Sequence, residues 1–254
     1  MTSTPVVFFV PGAWHEPWVF DDVRSTLSDR GFETGTSALA TVGSKNARVG
    51  VLDDAAVIRS ALLELIDAGK EVVVVAHSYG GVVASNSVRG LSISQRAADG
   101  KVGGIALLLY LCAFVVPVET SLLMAVNNVF PDWWNVTEDR QFLTPIDPGK
   151  VFYADVKPPL AARAIAALEP MPSQMALDKS TYAPLNEDFE VGYVFTEKDQ
   201  ALDVSAQRGM FSQFPAGSFS ASLDSSHSPF LSMPVALADA IQDAVNYIQT
   251  KKSR

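Results

Sequence analysis

The chain of 254 residues is 48% hydrophobic and 19% charged, which is typical of a globular protein and excludes a disordered one. Its formal net charge of −9 argues against nucleic acid or an anionic membrane as a partner. The single cysteine, Cys112, excludes an intrachain disulfide bond, and no signal peptide or membrane-spanning segment is recognisable, so a cytoplasmic location is expected.

Four short apolar runs are the clearest strands, at residues 6–10, 72–75, 105–110 and 191–195. They are apolar on successive residues, as strands are when helices cover both faces of a parallel sheet. Between them, apolar residues at spacings of three and four predict a helix over 51–65 that stops near Gly69, and a last helix over about 235–248. Alternating strands and helices predict a doubly wound, mostly parallel α/β sheet of about six strands.

Residues 117–186 break this alternation, because they are rich in proline and show no clear strand pattern. We interpret them as a mainly helical cap inserted between two strands of a core formed by residues 1–116 and 187–254. The alternative is a second small domain with its own core.

The stretch "VVVVAHSYGGVVA", residues 72–84, places Ser78 where a buried strand meets a helix. A sharp turn there strains the serine backbone and exposes its hydroxyl above the sheet. The residues two before and two after must be small, and Ala76 and Gly80 meet this need in an A-x-S-x-G pattern that replaces the usual G-x-S-x-G. Ser78 is therefore a candidate nucleophile. The alternative is a turn that performs no chemistry.

A serine nucleophile needs a base, and the chain offers only three histidines. His227 follows an apolar stretch and precedes the last helix, so its loop can reach Ser78. His15 follows the first strand and is a candidate pocket residue. The side chain of His77 should point away from that of Ser78, which favours a supporting or packing role. We predict His227 as the base, against a surface-loop histidine.

The base needs a carboxylate that orients the imidazole and stabilises its charged form. The segment "VGYVFTEKDQALD" offers Glu197, Asp199 and Asp203 after a predicted strand. We predict Asp199, with Glu197 as the second candidate and Asp203 as the cap of the next helix. The order serine, acid, histidine is that of the α/β-hydrolase fold.

An oxyanion formed at Ser78 needs backbone N–H donors, for which we predict Tyr79 and Ala13. Gly12 should allow a close backbone approach, although Pro11–Gly12 can also be an ordinary turn. Five further apolar-loop residues are candidate substrate-binding walls together with Gly12: Trp14, His15, Phe114, Trp133 and Trp134. The two adjacent tryptophans can equally form the core of the cap.

Four stretches resemble one family: "FFVPGAWHEPWVF", "VVAHSYGGVVA", "YLCAFVVP" and "SSHSPFLS". They are similar to the α/β-hydrolases related to plant methylesterases and hydroxynitrile lyases, including bacterial and fungal esterase relatives. The resemblance runs from Val6 to about Ile248 and includes "FYADVKPPLAARAIAALEPMP" in the cap. It implies a Ser78, His227 and Asp199 triad, with oxyanion amides from Ala13 and Tyr79.

Two positions depart from the family pattern. The family often has His-Gly where this chain has Pro11–Gly12. Its cyanohydrin-cleaving members carry Thr at the position of Gly12 and Lys after the catalytic histidine, where this chain has Ser228. A lysine there would stabilise cyanide and a serine does not, which favours ester hydrolysis over cyanohydrin cleavage.

The leading hypothesis is a serine hydrolase that cleaves a small apolar carboxylic ester or lactone without a metal or cofactor. The alternatives are a cofactor-free lyase on the same triad and a ligand-binding protein on the hydrolase scaffold. The expected partner is a neutral or aromatic small molecule, a homodimer is compatible with the sequence, and neither nucleic acid nor a membrane is expected as a partner.

Overall fold

A computed structural model describes residues 4–252. The strands are β1 (Val6–Val10), β2 (Thr34–Thr36), β3 (Glu71–His77), β4 (Gly104–Leu111), β5 (Trp134–Val136), β6 (Phe142–Pro145), β7 (Met171–Pro172), β8 (Val191–Thr196) and β9 (Phe219–Leu223). The α-helices are α1 (Asp21–Asp29), α2 (Val51–Asp67), α3 (Gly80–Ser87), α4 (Ile93–Ala98), α5 (Leu122–Ala125), α6 (Pro148–Tyr153), α7 (Pro158–Ala166), α8 (Gln174–Leu177), α9 (Val204–Phe211), α10 (Pro229–Ser232) and α11 (Pro234–Lys252). Short 3₁₀ helices cover Pro17–Phe20 and Pro184–Asn186.

Six strands form one sheet in the order β2-β1-β3-β4-β8-β9, and every neighbouring pair is parallel. The register places Val10, Ala76, Tyr110 and Tyr193 side by side across the four central strands. The loops that follow these strands therefore leave the sheet at one edge, where parallel α/β sheets place their ligand sites.

The four strands predicted from apolar runs are confirmed as β1, β3, β4 and β8, and nearly all of their residues are buried. The sequence did not predict β2 and β9, which are the two edge strands. The residues of β2 are only half buried, and those of β9 alternate between half-buried and exposed before the buried Leu223. A short edge strand with one solvated face has no continuous apolar run, which is the signal that revealed the central strands.

The predicted helices are also present and cover the sheet. α2 buries Ile58, Leu62 and Ile66 completely and ends before Gly69, whose φ of 84° is readily adopted only by glycine. α2 packs against α3, and α1 packs against α11. Within residues 4–252, none of the helices combines the length and the apolar character that crossing a membrane requires.

The segment between β4 and β8, here called the insertion (residues 117–186), contains α5 to α8 and a second, antiparallel sheet in the order β5-β6-β7. The sequence did not predict these strands. They are two to four residues long, and β6 and β7 each contain a proline, so neither length nor residue type marks them as strands. The pairing of Leu143 with Met171 joins residues that are far apart along the chain.

Candidate active site

Ser78 lies in the turn between β3 and α3, with a φ of 54° that strains a residue other than glycine. Its N–H donates to the carbonyl of Leu111 at 3.2 Å, and its carbonyl accepts from the N–H groups of Gly81 and Phe114 at 3.0 and 3.1 Å. These backbone hydrogen bonds hold the strained turn in place. The amino end of α3 follows Ser78 directly and favours negative charge beside it.

Two glycines near Ser78 occupy positions where a Cβ atom would come too close to neighbouring atoms. A Cβ atom at Gly80 would lie 2.4 Å from the carbonyl oxygen of Pro11, and one at Gly12 would lie 3.0 Å from Cβ of Ser78. Gly12 thus lies against the side chains of His77 and Ser78. In the described part of the chain, the backbone hydrogen bonds of these two loops do not engage the N–H groups of Ala13 and Tyr79, the two predicted oxyanion donors.

The structure brings His227 and Asp199 together, although they are 28 residues apart in sequence. His227 Nδ1 lies 2.7 Å from Asp199 Oδ2, and both side chains are buried. The hydrogen bonds of the described residues do not include one between Ser78 Oγ and His227. In enzymes without bound substrate this hydrogen bond is often long and shortens when the substrate binds.

The remaining valences of the Asp199 carboxylate are satisfied by its own neighbourhood. Oδ2 also accepts from Thr196 Oγ1 at 2.8 Å and from Gln207 Nε2 at 3.2 Å. Oδ1 accepts from the N–H groups of Ala201 and Leu202 at 2.8 and 2.9 Å. Because all of these partners donate, the arrangement suits an ionised carboxylate that acts only as an acceptor.

The other two acidic candidates lie elsewhere. Glu197 pairs with Arg208 at 2.6 Å, with both side chains partly exposed. Asp203 accepts from the N–H of Ser205 and caps α9, as the sequence predicted. Hydrogen bonds from the hydroxyl and the backbone N–H of Ser205 lower the pKa of the Asp203 carboxyl group.

His77 supports the loop of His227 from the sheet. Its Nε2 lies 2.9 Å from the carbonyl oxygen of His227, and the two rings are 4.6 Å apart. Since a carbonyl only accepts, His77 must be protonated at Nε2, and its Nδ1, which faces Gly12, has no hydrogen-bond partner among the described residues. Burial lowers the pKa of His77 well below its ordinary value, which keeps the ring neutral. The supporting role expected for His77 agrees with these contacts.

His15 is held in one neutral form by two neighbours. Its Nδ1 donates to the carbonyl of Ala13 at 2.6 Å, and the hydroxyl of Tyr153 lies 2.8 Å from Nε2 and donates to it. Burial lowers the pKa of His15 to about 4. His15 therefore connects the loop after β1 to α6 of the insertion.

The low pKa of His15 predicts a contribution to acid sensitivity. Between pH 6.5 and 4 the unfolded chain binds a proton at this residue that the folded chain does not, so acidification destabilises the fold. We expect this residue to remove about 3 kcal/mol from the free energy of unfolding between pH 7 and pH 4. Urea unfolding of the wild type and His15→Gln at several pH values measures it, and the variant should show the shallower dependence.

A matched control keeps the imidazole buried and removes only its neighbour. Tyr153→Phe deletes the hydroxyl that donates to His15, so its pH dependence should stay close to that of the wild type. Equal slopes for His15→Gln and the wild type would show that His15 titrates alike in the folded and unfolded chains.

Aromatic residues of the insertion pack against the loop after β1. The ring of Trp14 lies 5.7 Å from Trp133, 5.6 Å from Trp134 and 5.8 Å from Phe152. The indole N–H of Trp14 donates to the carbonyl of Leu143 at 3.0 Å. The two tryptophans of the insertion thus contact both each other and a predicted wall residue. Phe114, another predicted wall residue, is half buried and packs against the core.

Several residues of this region were not predicted from the sequence to lie near the site. Phe152 places its ring 5.7 Å from that of His227. Asp54 is completely buried and accepts from Tyr79 Oη at 2.8 Å and from the N–H and hydroxyl of Thr41. Burial raises the pKa of Asp54 to about 6. The sequence contained a signal for the burial of Asp54, because the helical spacing places it on the same apolar face of α2 as Ile58. It contained no such signal for Phe152.

Three buried side chains in the described part of the chain have potential metal-ligating atoms within 4.8 Å of one another, namely His77, Cys112 and His227. Two of the nitrogens are already engaged, since His77 Nε2 donates to the His227 carbonyl and His227 Nδ1 faces Asp199. Burial raises the pKa of the Cys112 thiol well above its ordinary value, which opposes the thiolate form that binds metals.

Comparison with known proteins shows the family of this chain. A family model described as the alpha/beta hydrolase family matches residues 7–240. An alpha/beta hydrolase of Aspergillus novofumigatus is 27% identical over 243 residues, which cover 94% of this chain and 96% of the fungal protein.

Two solved structures share the fold. A pyrethroid hydrolase from Sphingobium faniae superimposes with a TM-score of 0.73 at 20% identity, covering 96% of this chain and 98% of that one. A methylesterase from Arabidopsis superimposes with a TM-score of 0.74 at 20% identity, covering 96% of this chain and 100% of that one.

Proposed function

Because this chain belongs to the alpha/beta hydrolase family, we propose that it is a serine hydrolase that cleaves a small apolar carboxylic ester or lactone through an acyl-enzyme. The observation that carries the proposal is the buried contact of 2.7 Å between His227 Nδ1 and Asp199 Oδ2. His227 contacts His77, and the residue that follows His77 in the chain is Ser78, whose backbone is strained. The names of two proteins of the same fold, a pyrethroid hydrolase and a methylesterase, support a hydrolytic reaction.

Each residue of the site has a role in this mechanism. Ser78 Oγ attacks the carbonyl carbon of the ester while His227 Nε2 accepts the hydroxyl proton. Asp199 keeps the proton of the imidazole on Nδ1, so that Nε2 is free to act as the base. The N–H groups of Ala13 and Tyr79 donate to the oxyanion. His227 then protonates the leaving alkoxide, and a water molecule activated by the same imidazole hydrolyses the acyl-enzyme.

The surroundings of the triad favour a neutral substrate. The wall formed by Trp14, Trp133, Trp134 and Phe152 is aromatic, and His15 and His77 are neutral because burial lowers their pKa. Such a wall stabilises an apolar or aromatic group by contact and offers an anion no counter-charge. We propose that the insertion acts as a cap that supplies this wall.

Two measurements on the wild-type protein test the proposal. A fluorophosphonate probe should react with Ser78, as peptide mass spectrometry of the labelled protein will show. A screen of p-nitrophenyl esters, aryl esters and lactones in H₂¹⁸O should identify a substrate whose acid product carries one ¹⁸O atom. Both results follow from an acyl-enzyme that is hydrolysed by water.

The same two measurements separate the competing functions. Product formation without incorporation of ¹⁸O would identify a lyase that uses His227 as a base on the substrate itself. A protein that neither reacts with the probe nor hydrolyses any ester would be a binding protein on the hydrolase scaffold, and the proposed function would be wrong.

A further inference from the structure

The loop that carries His227 runs from Asp224 to Ser228, between β9 and α10, and is here called the base loop. From the side of the sheet, His77 Nε2 and Cys112 Sγ contact the His227 carbonyl at 2.9 and 3.6 Å. The N–H of Lys198 donates to the carbonyl of Ser225 at 2.9 Å. These contacts hold the main chain of the base loop against the sheet.

The insertion contacts the same loop at Ser226, through the carboxylate of Asp155 and the carbonyl of Phe152. Asp155, two residues after the end of α6, accepts from the N–H of Ser226 at 3.0 Å and also from the Ser226 hydroxyl. The Ser226 hydroxyl lies 3.2 Å from the carbonyl oxygen of Phe152 as well. Ser226 is completely buried and directly precedes His227. Because one carboxylate accepts from both the main chain and the side chain of Ser226, it defines the position and orientation of this residue.

The surroundings of Asp155 indicate that its side chain serves to hold the base loop. Asp155 itself is exposed, so burial of its side chain does not explain it as a core residue. Within residues 4–252 it takes part in no ion pair with a lysine, arginine or histidine at 4.0 Å or less. Both of its hydrogen bonds reach 71 residues along the chain to Ser226.

We propose that Asp155 is a positioning residue that couples the insertion to the base. It fixes Ser226 and thereby sets the distance of the His227 imidazole from Ser78. His227 is therefore an effective base only when the insertion is packed against the base loop. This inference rests on the proposed role of Ser78 and His227. It also assigns to the insertion an effect on chemistry that is separate from forming the pocket wall.

The test compares Asp155→Ala, Asp155→Asn and Ser226→Ala with a control at the other end of α6. Asp147 caps α6 through the N–H of Lys150 and has no contact with the base loop among the described hydrogen bonds. Asp147→Ala therefore perturbs α6 without releasing Ser226. For each protein, the rate constant for labelling of Ser78 by a fluorophosphonate is measured, together with kcat and KM for p-nitrophenyl acetate and the midpoint of urea unfolding.

Asp155→Ala should lower kcat and the labelling rate together by about 10- to 100-fold with little change in KM, as expected when a base is displaced by a fraction of an ångström. Asp155→Asn and Ser226→Ala should lose less, by about 3- to 10-fold, because in both variants an oxygen of residue 155 still accepts from the N–H of residue 226. Asp147→Ala should lower the urea concentration at the midpoint of unfolding. Its kcat, calculated per mole of Ser78 that reacts with the fluorophosphonate, should equal that of the wild type.

Two outcomes contradict the inference, and they can be told apart. If the wild type reacts at Ser78 but Asp155→Ala, Asp155→Asn and Ser226→Ala keep its kcat, like Asp147→Ala, then Asp155 has only a structural role and this inference is wrong. If the wild type itself neither reacts with the probe nor hydrolyses an ester, the proposed function and the positioning role are both wrong.

Discussion

Ser78→Ala is expected to reduce kcat for ester hydrolysis by about 10⁶-fold, because the reaction loses its nucleophile and retains only binding and oxyanion stabilisation. Labelling by a fluorophosphonate should disappear as well. Initial rates of p-nitrophenyl ester hydrolysis, normalised to protein concentration, measure the loss.

The fold should survive this substitution. The hydrogen bonds of Ser78 with Leu111, Gly81 and Phe114 all use its main-chain atoms, which alanine also provides. Alanine adopts the left-handed φ of 54° at a cost similar to that for serine, so we expect a change in the free energy of unfolding within about 1 kcal/mol. A correctly folded variant that keeps a tenth of the wild-type kcat would contradict the role of Ser78.

Asp199→Asn is expected to reduce kcat by about 10⁴-fold while leaving the geometry of the site almost unchanged. The N–H groups of Ala201 and Leu202 require an acceptor at the Oδ1 position, so the new amide oxygen should take that place. The amide nitrogen then faces His227 Nδ1 and donates to it. The imidazole proton moves to Nε2, where it blocks acceptance of the proton of Ser78.

Glu197→Gln is the matched control, because it makes the same chemical change two residues earlier in the chain. Glu197 pairs with Arg208 and takes no part in the hydrogen bonds of His227 among the described residues. Its kcat should stay within about twofold of the wild type, since partly exposed ion pairs contribute little. A larger loss of kcat in Glu197→Gln than in Asp199→Asn would show that Glu197, and not Asp199, is the acid that orients His227.

The choice between these two acids shows where sequence reasoning depends on tertiary structure. Both follow the same strand, β8, and both precede His227, so the order along the chain is compatible with either. The turn that follows β8 aims Asp199 inward, where five donors meet its oxygens, and leaves Glu197 beside Arg208. The spacing of residues along the sequence does not indicate in which direction each of these side chains points.

The sequence by itself determined the central strands β1, β3, β4 and β8, the sharp turn at Ser78 and the identity of the family. These features depend on local causes, namely continuous apolar runs and the small residues Ala76 and Gly80 that a crowded turn needs.

Only the tertiary structure decided the edge strands, the antiparallel sheet of the insertion, and the contacts of Asp54, His77 and Asp155. Each of these depends on partners far away along the chain, such as His77 with His227 across 150 residues and Asp155 with Ser226 across 71. Hydrogen bonds of this kind depend on the sheet, which brings the ends of its strands to one edge, so no local pattern of residues predicts them.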